Sequence, residues 1–201
     1  MRLSPVQIFH KHLPALSIEY CLDLWRRYPF QLKLRHPRET KLGDFCAHRG
    51  LGSVITINSD LYPYMFLLTY IHEFSHHAVF LVYGPRTEAH GKEWKLAFKT
   101  FMGPVLDMPI FPPDLKMCLQ GHMANPKATT FSDPKLTALL RKYDPAAQHQ
   151  ILLSALKPGD FFKLKGKRYR KDKVQRTRVL CTEMTTGKVY LVPKDYAVDP
   201  A

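Results

Sequence analysis

The first sixty residues change their hydrophobic period from helical to strand-like. Ser4 followed by Pro5 is typical of a helix start, and apolar side chains recur at helical spacing from Leu16 to Trp25 before Pro29. Three segments then alternate apolar and polar side chains, as β-strands do: residues 30–34, 40–46 and 53–58. The pattern predicts a helical opening followed by a small antiparallel sheet. We expect residues 53–58 to form an edge strand of that sheet, beside which a polypeptide could dock.

A long helix is predicted from Asp60 to Tyr83, with Ser59 or Asp60 as its cap and Gly84 as its end. Its side chains are apolar almost all round, which is typical of a buried helix. A membrane span is the competing interpretation. It is disfavoured because His72, Glu73, His76 and His77 fall in the middle of the segment, where ionisable groups are expensive.

The remainder of the chain predicts a second helix, a connector and a β-rich tail. The helix runs from Gly91 to Met102 and stops at Gly103-Pro104. Prolines then interrupt the chain, with short helices expected after Asp133 and Asp144, and alternation returns at residues 161–164, 174–182 and 188–192. We therefore predict an α+β protein with three parts: a domain at 1–112, a proline-rich connector at 113–150 and a β-rich domain at 151–201.

Composition narrows the class of partner and the cellular setting. Thirty Lys and Arg against 17 Asp and Glu give a formal charge of +13, which indicates an acidic partner such as nucleic acid. The four cysteines form no CxxC pair and are expected to be reduced thiols. The first residues contain no apolar run of the length that a secretory signal requires. We expect a cytoplasmic protein that does not act at a membrane.

The segment His72-Glu73-Phe74-Ser75-His76 carries the strongest chemical signal. Histidines four apart on a helix share one face and lie about 6 Å apart along its axis, so both imidazoles can reach one zinc ion. Glu73 is placed to accept a proton from water that zinc has made acidic and to pass it to the leaving amine of a cleaved peptide. The motif predicts a zinc metallopeptidase.

A third ligand is needed to complete such a site. His90 stands at the head of the next predicted helix and is the favoured candidate, while Glu88, Glu93 and His77 are its rivals. His77 is the least suitable rival because it points about 100° away from His76 on the helix.

The order of four segments closely resembles the SprT-like family of zinc metalloproteases: residues 40–44 (TKLGD), 55–58 (ITIN), 72–76 (HEFSH) and 90–95 (HGKEWK). The resemblance covers residues 4 to 103. It implies a zincin-like fold, one Zn²⁺ per chain held by His72, His76 and His90, and Glu73 as the catalytic base. It also implies digestion of proteins trapped on DNA. Many members end in a zinc ribbon with paired CxxC motifs, which this chain lacks, so a second zinc is not expected.

The tail carries a concentrated positive charge. Ten Lys or Arg and two Asp between Lys157 and Arg178 give this segment a net charge of +8, with Phe161, Phe162 and Tyr169 interleaved. Cations that contact phosphate and aromatic rings that stack on bases are typical of a surface for single-stranded DNA. The predicted contacts are Lys165, Lys167, Arg168, Arg170, Lys171, Lys173, Arg176 and Arg178. The alternative is a small β unit with a solvated basic face.

The sequence therefore favours a zinc-dependent endopeptidase of low sequence specificity that acts on DNA-associated or DNA-crosslinked proteins. Single-stranded or partly unpaired DNA is the expected partner. Two other functions stay open: a DNA-binding module with a structural zinc and no proteolysis, and a cytoplasmic metallopeptidase with no nucleic-acid role. Glu73 disfavours the module, because a structural zinc site has no need of a general base.

Overall fold

The structure is a computed structural model that describes residues 3–38, 40–48, 52–127, 133–164 and 166–201. The described residues form a mixed α+β protein, as the sequence predicts. Contacts divide the chain into two compact units, one up to Leu140 and one from Arg141 to Ala201. Among the described residues, single 3-10 turns accompany the longer elements at Ala15–Ser17, Ala147–His149 and Leu153–Ala155.

The helical opening is confirmed, but it consists of two helices, α1 (Pro5–His12) and α2 (Ile18–Arg27). Ser4 caps α1 through a capping box with Gln7, and Pro5 occupies the first turn. The chain is extended at Leu13 because proline disfavours helical geometry in the residue before it. Pro14 therefore separates the two helices, and both bury apolar side chains.

The first sheet contains β1 (Gln31–Arg35), β2 (Gly43–His48) and β3 (Gly52–Asn58) in the order β1-β3-β2. The prediction of an antiparallel sheet is wrong for one pair, because β2 and β3 are antiparallel whereas β1 and β3 are parallel. The chain crosses over between β1 and β2, which leaves β3 between them. The predicted edge at residues 53–58 is therefore wrong, since β3 is paired on both sides and the edges of this sheet are β1 and β2.

The long predicted helix is confirmed as α3 (Pro63–Tyr83), which ends at Gly84 with a φ of +77°. The predicted cap at Ser59 or Asp60 is wrong: Tyr62 precedes the helix, and its side chain makes no cap hydrogen bond. Most of α3 is buried against the sheet and the helix that follows it. Among the described residues, no helix is both long enough and apolar enough to cross a membrane.

Helix α4 (Lys92–Asp107) passes through Gly103-Pro104, where the sequence predicts its end. Proline removes one helical hydrogen bond, but the additional turn buries Val105 and Leu106, which offsets that cost. The predicted connector contains α5 (Pro113–Ala124) and α6 (Pro134–Lys142). The carboxylate of Asp133 accepts from the Leu136 N–H, so α6 begins where the sequence predicts.

The second unit is the β-rich tail that the sequence predicts. Its strands are β4 (Ile151–Leu152), β5 (Phe161–Leu164), β6 (Lys167–Val174), β7 (Arg178–Glu183), β8 (Val189–Pro193) and β9 (Ala197–Pro200). They form one sheet in the order β4-β9-β5-β6-β7-β8. The predicted strand at 174–182 is interrupted, because the chain turns between Val174 and Arg178. The sheet has its own core of Leu153, Phe162, Tyr169, Val179, Cys181, Val192 and Val198.

Candidate metal centre

Three histidine rings converge beside the middle of α3. The Nε2 atoms of His72 and His76, one turn apart on the helix, lie 3.2 Å from each other. His90, in the turn before α4, brings its Nε2 to 3.1 Å from that of His76 and 3.3 Å from that of His72. Tetrahedral zinc with Zn–N bonds of about 2.05 Å separates its nitrogen ligands by about 3.3 Å. The spacing therefore fits three ligands of one tetrahedral ion.

The histidines are present in the form that a metal binds. Burial lowers the pKa of His72 to about 3 and that of His76 to about 4, and it also lowers the pKa of His90. The rings are therefore neutral at pH 7, and neutral imidazole is the ligand form. Hydrogen bonds among three Nε2 atoms that face one another cannot give each nitrogen a partner, whereas one cation can bind all three.

The structure brings His90 to the helical pair and leaves its three rivals outside the group. In the described part of the chain, His72, His76 and His90 are the one set of three or more metal-ligating side chains within reach of a common ion. The ring of His77 lies instead against Phe30, Phe45 and Phe74. The Glu88 side chain lies against Gly91, and Glu93 lies near the amine of Lys92.

Trp94, on the first turn of α4, packs behind the histidine triangle. It is fully buried, and its ring centroid lies 4.7 Å from those of His72 and His90 and 5.4 Å from that of His76. Its indole Nε1 donates to the carbonyl of His72 at 3.4 Å. Because this residue touches all three rings, it fixes their orientation by packing.

Glu73 follows His72 on α3 and is 8% exposed. Burial is the largest cause that raises its pKa, to about 8, and the negative charge of Asp44 acts in the same direction. The positive charges of Arg38 and Lys41 and a hydrogen bond from the Phe45 backbone oppose that shift. A dication at the histidines would favour the carboxylate and lower this pKa.

Gly43 is a site residue that the sequence interpretation missed. A Cβ at this position would lie 2.7 Å from Cγ and Oε1 of Glu73 and 2.7 Å from Cγ2 of Thr69. The first residue of β2 therefore approaches Glu73 as closely as only glycine allows. A glycine at the start of a strand was the available signal, because it often marks a close backbone approach. Two residues further along, the Phe45 ring stacks parallel to His76, with centroids 6.5 Å apart.

Asn58 is a second residue whose structural role the sequence interpretation missed. It is 1% exposed, at the end of β3. Its side-chain amide donates to the carbonyls of Arg38 and Lys41 at 3.2 and 3.1 Å, and its oxygen accepts from Nε of Arg38 at 2.9 Å. Asn58 thus anchors the chain that leads into Gly43. Finding this role requires the tertiary structure, because its partners lie 17 and 20 residues away.

The predicted nucleic-acid contacts have different surroundings from one another. Lys165 lies outside the described residues. Lys171 is 1% exposed, so its prediction as a phosphate contact is wrong. Strand alternation turns it inward opposite Cys181, where its amine donates to the carbonyls of Leu153 and Leu156 at 2.8 and 2.6 Å. A more distant carbonyl, that of Ser154, lies at 3.4 Å.

The other predicted cations in the tail are exposed, and two of them have acidic partners. The amine of Lys167 lies 3.1 Å from a carboxylate oxygen of Glu183, and Nε of Arg170 lies 2.8 Å from that of Asp172. Arg168 lies over the ring of Phe161, 4.6 Å from its centroid. Phe162 and Tyr169 are buried, so among the three interleaved aromatics only Phe161 presents a ring to solvent.

Three of the predicted cations lie at the turn between β6 and β7: Lys173, Arg176 and Arg178. We refer to them as the basic hairpin. All three are exposed, and none forms an ion pair with another residue in the described part of the chain. Among the predicted contacts that the structure describes, they are therefore the cations most available to an acidic partner.

No known protein family, no curated protein and no solved structure matches this chain.

Proposed function

We propose that this protein is a zinc-dependent endopeptidase of low sequence specificity. The observation that carries the proposal is the triangle of His72, His76 and His90 Nε2 atoms, with the buried Glu73 following His72 on the same helix. Three histidine ligands leave one tetrahedral position open, which is typical of a catalytic rather than a structural zinc site. When bound, zinc would supply Lewis acidity toward water and toward a peptide carbonyl.

Glu73 acts as the general base and then as the general acid. Its carboxylate accepts a proton from the attacking water and returns that proton to the leaving nitrogen. Burial, the Phe45 N–H and the absence of a side chain at Gly43 hold the carboxylate in place.

The substrate chain docks on β2 in this proposal. This strand is an edge of the sheet, and it carries Gly43 and Phe45 beside Glu73 and His76. An extended polypeptide added along β2 would pass close to the histidines. Recognition through backbone hydrogen bonds depends little on the substrate's side chains, which accounts for low sequence specificity.

DNA-associated proteins are the proposed substrates, as the SprT-like resemblance implies. The formal charge of +13 and the exposed basic hairpin support an acidic partner. A second candidate is a metallopeptidase with no nucleic-acid role. It is favoured by the burial of Lys171 and by the acidic partners of Lys167 and Arg170, which reduce the cationic surface of the tail.

The test of peptidase activity replaces Glu73 by Gln. The amide preserves the shape of the side chain but cannot accept a proton, so cleavage of unfolded casein should fall by about 10²- to 10⁴-fold. Zinc content, measured by mass spectrometry, should stay at one ion per chain, because the three proposed ligands remain. Glu19→Gln, an exposed change on α2, is the matched control and should cleave at the wild-type rate. Wild-type cleavage by the Glu73→Gln protein would rule out the proposed mechanism.

A further inference from the structure

A second open edge of the first sheet lies away from the histidines. A groove of about 690 Å³ runs along β1. It is lined by Leu3, Pro5 and Ile8, in and just before the first part of α1, and by residues 30–35. Its volume lies within the range of clefts that bind ligands. The order β1-β3-β2 places this groove at the opposite edge from β2, the strand that carries Gly43.

The backbone of β1 offers hydrogen-bonding groups to the groove. In a parallel pair, alternate residues direct both their N–H and their C=O toward the neighbouring strand. The carbonyl of Arg35 accepts from the N–H of Ser59, just beyond β3, so the backbone groups of Arg35 face β3. By alternation, the backbone groups of Leu32 and Leu34 face the groove. In the part of the chain that the structure describes, no strand pairs with this edge.

Charge determines which chain fits beside β1. Lys33 and Arg35 share the face of the strand opposite to Leu32, which is buried in the core. Pairing between two copies of β1 would bring these cations close together, and like charges opposite each other on neighbouring strands are destabilising. A strand with acidic side chains on that face would gain attraction instead. Apolar side chains on its other face would lie toward Leu3 and Ile8.

We propose that the β1 groove binds an extended segment of a partner protein in which acidic and apolar residues alternate. The segment adds a fourth strand to the sheet through the backbone groups of Leu32 and Leu34. Lys33 and Arg35 select its charge, and Leu3, Pro5 and Ile8 cover its apolar side. This binding site does not depend on the proposed peptidase activity, because its residues lie at the other edge of the sheet.

Fluorescence anisotropy with a labelled ten-residue peptide that alternates valine and glutamate tests the charge selection. The protein is the full chain carrying Glu73→Gln, which prevents any cleavage of the probe. We expect the glutamate peptide to bind at least about tenfold more tightly than the same peptide with lysine, and Lys33→Glu/Arg35→Glu to reverse that preference. Lys188→Glu/Lys194→Glu makes the same change of net charge in the second unit, outside the basic hairpin, and should leave the preference unchanged.

The variant Leu34→Pro tests strand addition. It removes a groove-facing N–H while the edge position tolerates proline, so affinity for the glutamate peptide should fall about tenfold. Leu34→Val keeps the N–H and should bind within about threefold of the parent chain. Equal affinities of the proline and valine variants would overturn strand addition. Charge selection would be overturned if Lys33→Glu/Arg35→Glu kept the preference for the glutamate peptide, or if the control pair lost that preference equally. This test holds even if the proline variant fails to fold.

Discussion

The two units of this protein each hold partly or fully buried ionisable side chains, but they satisfy them in different ways. In the first unit, His72, His76 and His90 direct their Nε2 atoms at one another across 3.1 to 3.3 Å. In the second unit, Lys171 is 1% exposed and its amine donates to backbone carbonyls. A buried polar group is costly unless it has hydrogen-bond partners. The lysine has its partners within the chain, whereas the histidines fit a cation from outside it.

The largest effect that this comparison predicts is the loss of zinc on His90→Ala. Removing one of three ligands should weaken zinc binding by more than about 100-fold, because even partners outside the ligand set contribute about 10- to 100-fold. Competition with a chromogenic chelator measures the affinity. His10→Ala, an exposed change on α1, is the control and should bind zinc as the wild type does. Full zinc affinity in His90→Ala would transfer the third-ligand role to another residue.

Gly43→Ala tests whether close packing positions Glu73. The added Cβ would lie 2.7 Å from Glu73, so either the carboxylate or β2 must move. A displacement of about 1 Å can lower a catalytic rate by about 10²-fold, and overpacking costs about 1–3 kcal/mol of stability. Casein cleavage and the denaturation midpoint report the two effects. Gly103→Ala is the control, because a Cβ there meets no atom within 4 Å. Unchanged cleavage by Gly43→Ala would contradict the positioning role.

The parts of the site that lie on one helix were predictable from sequence, because the helical period places His72 and His76 on one face. His90 was the favoured third ligand, but Glu88 and Glu93 stayed open as rivals, because no periodic pattern encodes the course of the turn before α4. Gly43 and Asn58 were missed for a related reason. Their contacts join β2, β3 and α3, and residue spacing carries no information about which strand lies over which turn of a helix.

The fold shows the same limit. Alternation located the three strands of the first sheet, but it does not specify their partners, and the edge assigned to residues 53–58 was wrong for that reason. Helix α4 continues through Pro104 because burial of Val105 and Leu106 offsets the tendency of the Gly103-Pro104 pair to end a helix. In the tail, charge counting treated Lys171 as exposed. Side chains alternate along a strand, so Lys171 must face the side of the sheet opposite to its neighbours Arg170 and Asp172. That alternation was the available signal.

Lys171→Met tests whether the buried amine stabilises the second unit. Methionine retains most of the apolar stem but leaves the carbonyls of Leu153 and Leu156 without their donor, at a cost of about 1–3 kcal/mol. We expect a lower denaturation midpoint for the second unit and an unchanged zinc content. Lys173→Met, two residues further along on the exposed side, should change stability by no more than about 0.5 kcal/mol. Equal stability of the two variants would mean that the buried amine contributes nothing to the fold.

The smallest predicted effect is a change in the affinity for single-stranded DNA and in its salt dependence. It compares exposed cations that have an acidic partner with exposed cations that have none. If the basic hairpin contacts phosphates, Lys173→Gln/Arg176→Gln/Arg178→Gln should weaken binding of single-stranded DNA. Each lost phosphate contact lowers the slope of log affinity against log salt by about 0.7, so three contacts correspond to about 2. Zinc content should not change.

The matched control for this prediction is Lys167→Gln/Arg170→Gln. These cations already lie beside Glu183 and Asp172, so replacing them exposes a carboxylate for each cation lost and should remove few phosphate contacts. Affinity for an oligothymidine measured across a salt series compares both variants with the wild type. A larger decrease of the salt-dependence slope in the hairpin variant than in the control assigns the DNA contact to the β6–β7 turn. Equal slopes in all three proteins would exclude the hairpin from any DNA-binding surface and favour the peptidase without a nucleic-acid role.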